Sequence, residues 1–422
     1  MMSTNTHSPI GLAKSILLYI VVALFLFVEM GIQVSPSVMT SQLTNELHLN
    51  AFGLGLMSGF YFYTYTFMQI PSGLLFDRFQ PRYIISVSLL TCALGCLLFG
   101  VANNIFIGAL GRLLTGMGSA FAFVAVLVVT ADLFPNRYFA FITGITQMLA
   151  AFGAMSGQLP LNYIVNHLGW RQTMFLLAAI AAALSFIVWL SLNYKKQIVQ
   201  KLSESCCKST FTELRAIIRN PQSWLIALYA CLLWAPMSGF ASLWGVPFLM
   251  HVFKITHERA AFICSTMWLG LALSSPFLGW ISTHFKSRVW PLSISALIGS
   301  LAFIILLIFP KLSSVELIVL LLLAGAACSG QALSFTVVKE INPEHRRATA
   351  IAFNNMAVVI SGAIFQPFIG KLLDFHCKFG STAQLSSCEA LHHRLSMIPI
   401  VAAFVLSFVI ATFFIKESWQ IR

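Results

Sequence analysis

The sequence has little charge. Only 9% of its 422 residues are Asp, Glu, Lys or Arg, and 13 of these are acidic. Soluble domains average about 25% charged residues, so a water-exposed surface of ordinary composition is excluded. Hydrophobic residues make up 58% of the chain instead. This composition predicts an integral membrane protein.

Several site motifs are missing as well. The sequence has no phosphate-binding Walker loop, no nucleophile elbow and no zinc-binding helix pattern. Cys92 and Cys96 share a helix face, but no His lies at their depth, so the nine cysteines form no metal set. We therefore expect no enzyme, no cofactor and no metal, and a gradient rather than ATP as the source of energy.

Long apolar runs recur along the chain, and each has the roughly 20 residues that a helix needs to cross about 30 Å of hydrocarbon. The first run is too long for a cleaved signal peptide, so we expect the N-terminus to be retained. The pattern predicts an all-α protein with twelve transmembrane helices, near residues 15–39, 51–75, 83–101, 105–131, 138–165, 172–193, 222–250, 258–282, 289–309, 314–338, 348–373 and 395–415.

The basic residues predict the orientation. If the N-terminus is cytoplasmic, seventeen of the 25 Lys and Arg lie inside and seven outside, and the last, Arg112, lies within a run. This bias places both termini in the cytoplasm, with the protein in a bacterial inner membrane and in contact with lipid. The net charge of +12 does not indicate a nucleic-acid partner, because the cations lie in short gaps between apolar runs.

A 28-residue gap after the sixth run divides the chain. We predict an N-terminal six-helix bundle over residues 1–193, a cytoplasmic linker over 194–221 and a C-terminal bundle over 222–422. No soluble module is long enough to suggest a stable partner protein, and we expect a monomer.

The two halves resemble each other in sequence. The segment GLLFDRFQPR from Gly73 returns as GWISTHFKSR from Gly279, and DLFPNR from Asp132 returns as EINPEH from Glu340. Parallel repeats imply an axis along the membrane normal and a binding site between the halves. At the offset of the second motif, Gln147 and Gln158 match Asn355 and Gln366.

The loop after the second run resembles the signature of the major facilitator superfamily, which it matches at Gly73, Asp77, Arg78 and Arg82. Gln80 and Pro81 depart from that signature. The resemblance covers nearly the whole chain and implies two six-helix bundles that alternate in access, with helices 1, 4, 7 and 10 lining the cavity.

The resemblance also implies a gate on the cytoplasmic side. Gly73 would let helices 2 and 11 approach closely, and Asp77 and Arg78 would form charge-assisted bonds in one state only. Arg82 and Asp132 complete this expected cluster. The alternative is that these charges only solvate a loop.

Two ionisable residues lie deep within predicted helices, where charge is costly and marks functional candidates. Glu29 in helix 1 and Arg112 in helix 4 lie at similar depth, roughly 15 Å and 10 Å from the outer ends. The segment GRLLTGMGSA around Arg112 resembles the superfamily's helix-4 motif, whose Arg acts near a proton carrier or binds a substrate carboxylate. We expect the pair to bind substrate and couple protons. The alternative is a static ion pair between the two helices.

Other polar and aromatic residues lie at a depth suited to binding. Trp234 and Ser238 are four residues apart in helix 7, where Pro236 and Gly239 allow a break, and Tyr61 or Tyr65 is favoured in helix 2. Each polar candidate could instead bond neighbouring helices. The remaining candidates are Gln33, Gln147, Gln331, Asn354 and Asn355.

Cys377 and Cys388 both fall in the predicted outer loop between helices 11 and 12. An oxidising compartment permits a bridge there, and closing such a loop stabilises by about 3 kcal/mol in the chain-entropy model. We predict a disulfide between them, which intact-mass analysis after alkylation without reductant would detect.

These features favour proton-coupled uptake of an amino acid or related zwitterion, with Arg112 taking the carboxylate and Glu29 the amine or a proton. The segment ASLWGVPFLM from Ala241 resembles the phagosomal nutrient transporters of intracellular bacteria, which take up amino acids or nucleosides. The alternatives are a nucleoside importer, a proton-coupled exporter of an amphipathic compound or siderophore, and a membrane sensor that binds a solute without transporting it.

Overall fold

The computed structural model describes residues 11–192, 215–343, 346–377 and 389–419, and within these ranges the chain is helical without strands. The helices of the first half are α1 (Leu12–Val34), α2 (Thr40–Glu46), α3 (Ala51–Arg78), α4 (Pro81–Gly100), α5 (Ile105–Ser119), α6 (Ala122–Leu133), α7 (Asn136–Ser156) and α8 (Leu159–Ser191). Those of the second half are α9 (Pro221–Ala235), α10 (Gly245–Phe253), α11 (His257–His284), α12 (Val289–Ile308), α13 (Ser314–Cys328), α14 (Gly330–Glu340), α15 (Arg347–Cys377), α16 (Ala390–Ser396) and α17 (Ile398–Val409).

Ten helical segments of the described chain are long and apolar enough to cross a membrane. One of them, Ile142–Ser191, has 50 residues and is interrupted at Gly169, where φ is 81°. A straight helix of that length would span roughly 75 Å, more than twice the hydrocarbon core. The all-α, multi-pass membrane fold is thus confirmed. The number of twelve crossings, the orientation of the termini and the three domain boundaries stay predictions.

Two predicted helices are each interrupted once. The run at 105–131 forms α5 and α6, with a turn at Phe121, and the run at 314–338 forms α13 and α14, with a turn at Ser329. Phe121 and Ser329 are 208 residues apart, which is the offset of the sequence repeat. The repeat in sequence therefore extends to the positions at which the two helices bend.

The predicted helix 7, residues 222–250, contains a wider helical segment where a break was expected. Residues Pro236–Trp244 form a π-helix that joins α9 to α10 without leaving the helical path. Pro236 has no N–H to donate and disturbs the α-helical ladder, and π-helical turns absorb such a disturbance by pairing each N–H with the carbonyl five residues back. Side chains beyond Pro236 consequently point in other directions than an α-helix would give them.

The two halves meet along α3 with α15 and along α7 with α11. Near the predicted outer ends, the backbones of α3 and α15 are in close contact because two glycines leave room. A methyl group at Gly55 would collide with the Gln366 carbonyl, and one at Gly370 with the Ala51 carbonyl. The outer side is closed at this seam.

Asp374 fastens the same seam. Its carboxylate accepts hydrogen bonds from the backbone N–H of Ala51 at 2.9 Å and of Phe52 at 2.8 Å. These are free N–H groups at the N-terminus of α3, which carries partial positive charge. A carboxylate from the second half thereby caps a helix of the first half.

At the predicted cytoplasmic ends, the glycines of the facing helices are not in close contact with another helix. Gly73 lies on the same face of α3 as Gly55, yet a methyl group there would meet nothing within 4 Å, and the same holds for Gly144 in α7 and Gly279 in α11. The close approach of predicted helices 2 and 11 (α3 and α15) at Gly73 is therefore wrong for this conformation, because no described atom lies within 4 Å of a methyl group placed there. With the predicted orientation, close packing at the outer ends and open space beside these glycines is the arrangement expected of an inward-facing state.

Substitution of one packed glycine tests the helix packing. A methyl group at Gly116 in α5 would overlap the Tyr61 carbonyl in α3. We expect Gly116→Ala to destabilise the protein by about 1–3 kcal/mol, the usual cost of overpacking, whereas Gly73→Ala should have almost no effect. Thermal unfolding in detergent measures both variants. Equal melting temperatures would contradict the close packing of α3 and α5.

The predicted disulfide falls outside the described residues, since neither the Cys377 side chain nor Cys388 is described. It stays a prediction.

Candidate solute-binding site

A cavity of about 890 Å³, including space open to solvent, lies between the two halves. No charged side chain is among the described residues that line it. The lining is mostly apolar, with polar and aromatic side chains from both halves: Gln33, Tyr61, Tyr65, Gln147, Trp234, Trp268, Ser275, Gln331 and Asn355.

The tyrosines of α3 divide between two faces, as residues four apart share a face and those two apart do not. Tyr61 and Tyr65 both line the cavity, with ring centroids 5.7 Å apart. Tyr63 points away and donates to the Ala363 carbonyl at 3.2 Å. Both predicted tyrosines thus reach the cavity.

Trp234 also lines the cavity, and its ring stands edge-on to Trp268 of α11 at 6.4 Å. Ser238 does not join it. Its hydroxyl is buried, bonded to the hydroxyl of Ser361 at 2.7 Å and to the Trp234 carbonyl at 3.2 Å. The prediction that Ser238 lines the cavity with Trp234 is wrong, because it assumed α-helical spacing through Pro236.

Of the predicted Gln and Asn side chains, some line the cavity and one bonds a neighbouring helix. Gln33, Gln147 and Gln331 line the cavity, as does Asn355. Asn354 is fully buried and donates to the Ser334 hydroxyl at 2.8 Å. The predicted substrate contact of Asn354 is therefore replaced by a bond between α15 and α14.

Asn355 also joins the two halves, since its amide donates to the side-chain oxygen of Gln69 in α3 at 2.7 Å. Gln69, Trp268 and Ser275 were not among the predicted site residues. Gln69 was recognisable as an uncharged polar residue in an apolar run. The other two carried no signal, because neither residue lies in a recognised motif and hydropathy does not show which way a side chain points.

Glu29 and Arg112 lie behind Tyr61. The Tyr61 hydroxyl donates a hydrogen bond to Glu29 Oε1, and the Arg112 guanidinium lies over the Tyr61 ring, 4.7 Å from its centroid. Glu29 and Arg112 are each 1% exposed. In the described chain, the ion pairs within 4.0 Å are formed by other residues. Tyr61 therefore stands between the two charges and the cavity.

The end of α1 explains where the guanidinium binds. Arg112 donates to the Ile32 carbonyl at 3.1 Å and to the Gln33 carbonyl at 3.2 Å. An α-helix would pair the Ile32 carbonyl with the N–H four residues on, but Pro36 has none. The Ser35 hydroxyl, at 2.9 Å, and Arg112 satisfy this carbonyl instead. Arg112 thereby anchors the end of α1 to α5.

Two predictions are corrected by this geometry. Neither Glu29 nor Arg112 is among the residues that line the cavity, so the predicted substrate contacts of both are wrong for this conformation. The alternative, a direct ion pair between them, is not found within 4.0 Å either. The depth of both residues within the membrane was predictable from the sequence. It could not give the direction in which they point, nor the carbonyls exposed by Pro36.

The predicted cytoplasmic gate is described only in part. The side chains of Asp77 and Arg78 lie outside the described residues. Arg82 places its guanidinium over the Trp189 ring, 4.2 Å from the centroid, and Asp132 is exposed. The gating roles of these residues, with Gly73, stay predictions.

The second half has a better defined charge cluster at the equivalent place. Arg288 donates to both carboxylate oxygens of Glu340, at 3.1 Å and 2.8 Å. These residues are the repeat partners of Arg82 and Asp132, so the signal was present in the sequence. Such two-point pairs are among the strongest hydrogen-bonded contacts.

Glu417, just after the last helix, binds the same cluster. Burial raises the pKa of this carboxyl, but hydrogen bonds from the Ser287 hydroxyl and from the backbone N–H of Arg288, Trp419 and Val289 outweigh it and hold the pKa below its usual value. Glu417 is therefore anionic at neutral pH and ties the C-terminal segment to α12.

Comparison with known proteins agrees with this architecture. The sequence model of the Major Facilitator Superfamily matches residues 19–366 and, in a second match, residues 235–418. The uncharacterised transporter YybO of Bacillus subtilis is 23% identical over 61% of this chain and 63% of its own. The uridine/deoxyuridine transporter of Lactococcus lactis is 24% identical over 44% of this chain and 38% of its own. The chain thus spans less than two thirds of these relatives.

Solved structures extend the likeness to the whole fold. A bacterial homologue of the human lysosomal transporter Spinster, in an inward-facing and unoccupied conformation, gives a TM-score of 0.77 at 20% identity, over 95% of this chain and 97% of its own. The nucleoside transporter NupG gives 0.70 at 14% identity, over 93% and 99%. The D-xylose–proton symporter gives 0.74 at 13% identity, over 98% and 100%.

Proposed function

We propose a transport function from the premise that the chain belongs to the Major Facilitator Superfamily. The protein is a secondary transporter that takes up a small uncharged organic solute across the bacterial inner membrane, by alternating access and coupled to protons. A nucleoside is the solute class that the site supports best.

The uncharged cavity carries this proposal. A solute with a full charge would lose its water and find no opposite charge among the described lining residues, which is costly. Seven aromatic side chains line the cavity and suit a flat heteroaromatic ring: Tyr61, Phe62, Tyr65, Phe123, Trp234, Trp268 and Phe335. Amides both donate and accept hydrogen bonds, as the edge of a base and the hydroxyls of a sugar require. Two relatives are named for nucleosides.

The expected zwitterion is less well supported, because it depended on Arg112 and Glu29 facing the solute. An amphipathic solute for export remains the second candidate, since the lining is largely apolar. The direction of transport distinguishes these two candidate functions. An importer accumulates its solute when the outside is acidic, and an exporter does not.

The buried group of Glu29, Tyr61 and Arg112 supports proton coupling. Protonation of Glu29 would remove the negative charge to which the Tyr61 hydroxyl donates. Because the same tyrosine lines the cavity, a change at Glu29 reaches the solute through one side chain. Arg112, whose guanidinium lies over the face of the Tyr61 ring, balances the charge of ionised Glu29.

The test is uptake of a labelled pyrimidine nucleoside by proteoliposomes that are acidic outside. Stacking of a base on an aromatic side chain contributes about 1–3 kcal/mol, so Trp234→Ala should raise KM about 10-fold. Trp224→Ala is the control, because this tryptophan is 51% exposed and is not among the residues that line the cavity. Absence of nucleoside uptake, or an equal effect of both substitutions, would contradict the proposal.

A further inference from the structure

Two glutamines at equivalent positions of the sequence repeat donate hydrogen bonds to the π-helix in predicted helix 7. Gln158 donates through its side-chain amide to the Ala241 carbonyl at 2.6 Å, and Gln366 to the Ser238 carbonyl at 2.8 Å. Both glutamines are buried, at 0% and 1% exposure. The π-helix Pro236–Trp244 departs from the α-helical pairing of its backbone, and these two carbonyls accept side-chain donors.

The two bonds differ in what they join. Gln366 and its acceptor both belong to the second half. Gln158 belongs to the first half, at the turn between α7 and α8, so its bond to Ala241 crosses the seam. The same amide nitrogen lies 3.4 Å from the Cys264 sulfur in α11 and 3.5 Å from the Ser37 hydroxyl after α1.

We propose that Gln158 is a positioning residue whose hydrogen bond to Ala241 stabilises the state in which the outer ends of the two halves are closed. Its bond exists only while the outer ends of the two halves are together, whereas the bond of Gln366 persists when they separate. Without Gln158, the weak contact from the Cys264 thiol, at 3.8 Å, is the side-chain donor that the buried Ala241 carbonyl retains among the described residues. The inward-facing state alone bears this loss, because water reaches the carbonyl once the outer side opens.

The chain supplies a matched control. Gln158→Met and Gln366→Met each remove one amide that donates to the π-helix Pro236–Trp244, and methionine has a side chain of similar length. Removing a partner from a buried polar group shifts an equilibrium by roughly 5- to 150-fold. Gln158→Met should shift the population from inward-facing to outward-open by this factor, and Gln366→Met should not shift it.

Hydrogen–deuterium exchange of the protein in nanodiscs, without added solute, measures the shift. Gln158→Met should speed exchange in the outer segments 51–59 and 366–374 and slow it at the cytoplasmic ends of α3 and α15. Unchanged exchange in Gln158→Met, or the same change in Gln366→Met, would overturn the proposal.

If Gln158→Met does not fold, Gln158→Asn replaces it. Asparagine keeps the amide but is one methylene shorter, so it is out of reach of Ala241, and the same opening is expected. The inference rests on the proposed alternating access but not on the solute. A transporter of another solute would still give the exchange pattern, and loss of nucleoside uptake with the pattern intact would refute only the substrate.

Discussion

Glu29→Gln should abolish solute accumulation driven by a pH gradient, with a fall of at least about 10-fold, while exchange of solute across the membrane persists. Glutamine retains an oxygen that accepts the Tyr61 hydroxyl, so the local packing survives. It cannot bind or release a proton. Glu29 is 1% exposed. Burying an ionisable group this deep in a membrane protein costs free energy, and such residues usually have a function in transport.

Glu46→Gln is the matched control. This glutamate of the first half pairs with Arg171 in the open, with a side chain 44% exposed, and exposed ion pairs contribute little. Accumulation by this variant should equal that of the wild type. If Glu29→Gln accumulates solute with unchanged pH dependence, Glu29 is not the proton carrier.

The second large effect is expected at Arg112. Arg112→Lys keeps the charge but not the planar fork that spans the carbonyls of Ile32 and Gln33. Each charge-assisted hydrogen bond contributes about 1.5–3 kcal/mol, so loss of one should cost that much stability. Because the anchor of α1 is damaged, transport should fall for every solute alike.

Thermal unfolding and solute affinity, measured together, separate this structural role from direct binding. Arg394→Lys is the control, since Arg394 donates to one carbonyl, that of Phe309, in an exposed place. A wild-type melting temperature in Arg112→Lys, with affinity lost only for solutes that bear a carboxylate, would restore Arg112 as a substrate ligand.

The fold was largely predictable because its signals are long. A run of some 20 apolar residues, a bias in basic loops and a repeat each average over many positions, so single errors matter little. The aromatic residues of α3 were also placed correctly, since Tyr61 and Tyr65 follow ordinary α-helical spacing.

The site was less predictable because it depends on direction. Asn354 and Asn355 are adjacent and equally deep, yet one bonds Ser334 and the other reaches the cavity. Hydropathy gives depth in the membrane but not rotation about the helix axis. Ser238 was misplaced for a related reason, because the π-helix changes the register after Pro236.

Calorimetric binding to the purified wild-type protein tests most directly whether the cavity takes an uncharged nucleoside. Three ligands are compared: a pyrimidine nucleoside, its 5′-monophosphate and a zwitterionic amino acid. With no charged side chain among the described lining residues, the nucleoside should bind at least about 10-fold more tightly than either charged ligand. Tighter binding of the amino acid or the phosphate would contradict the account.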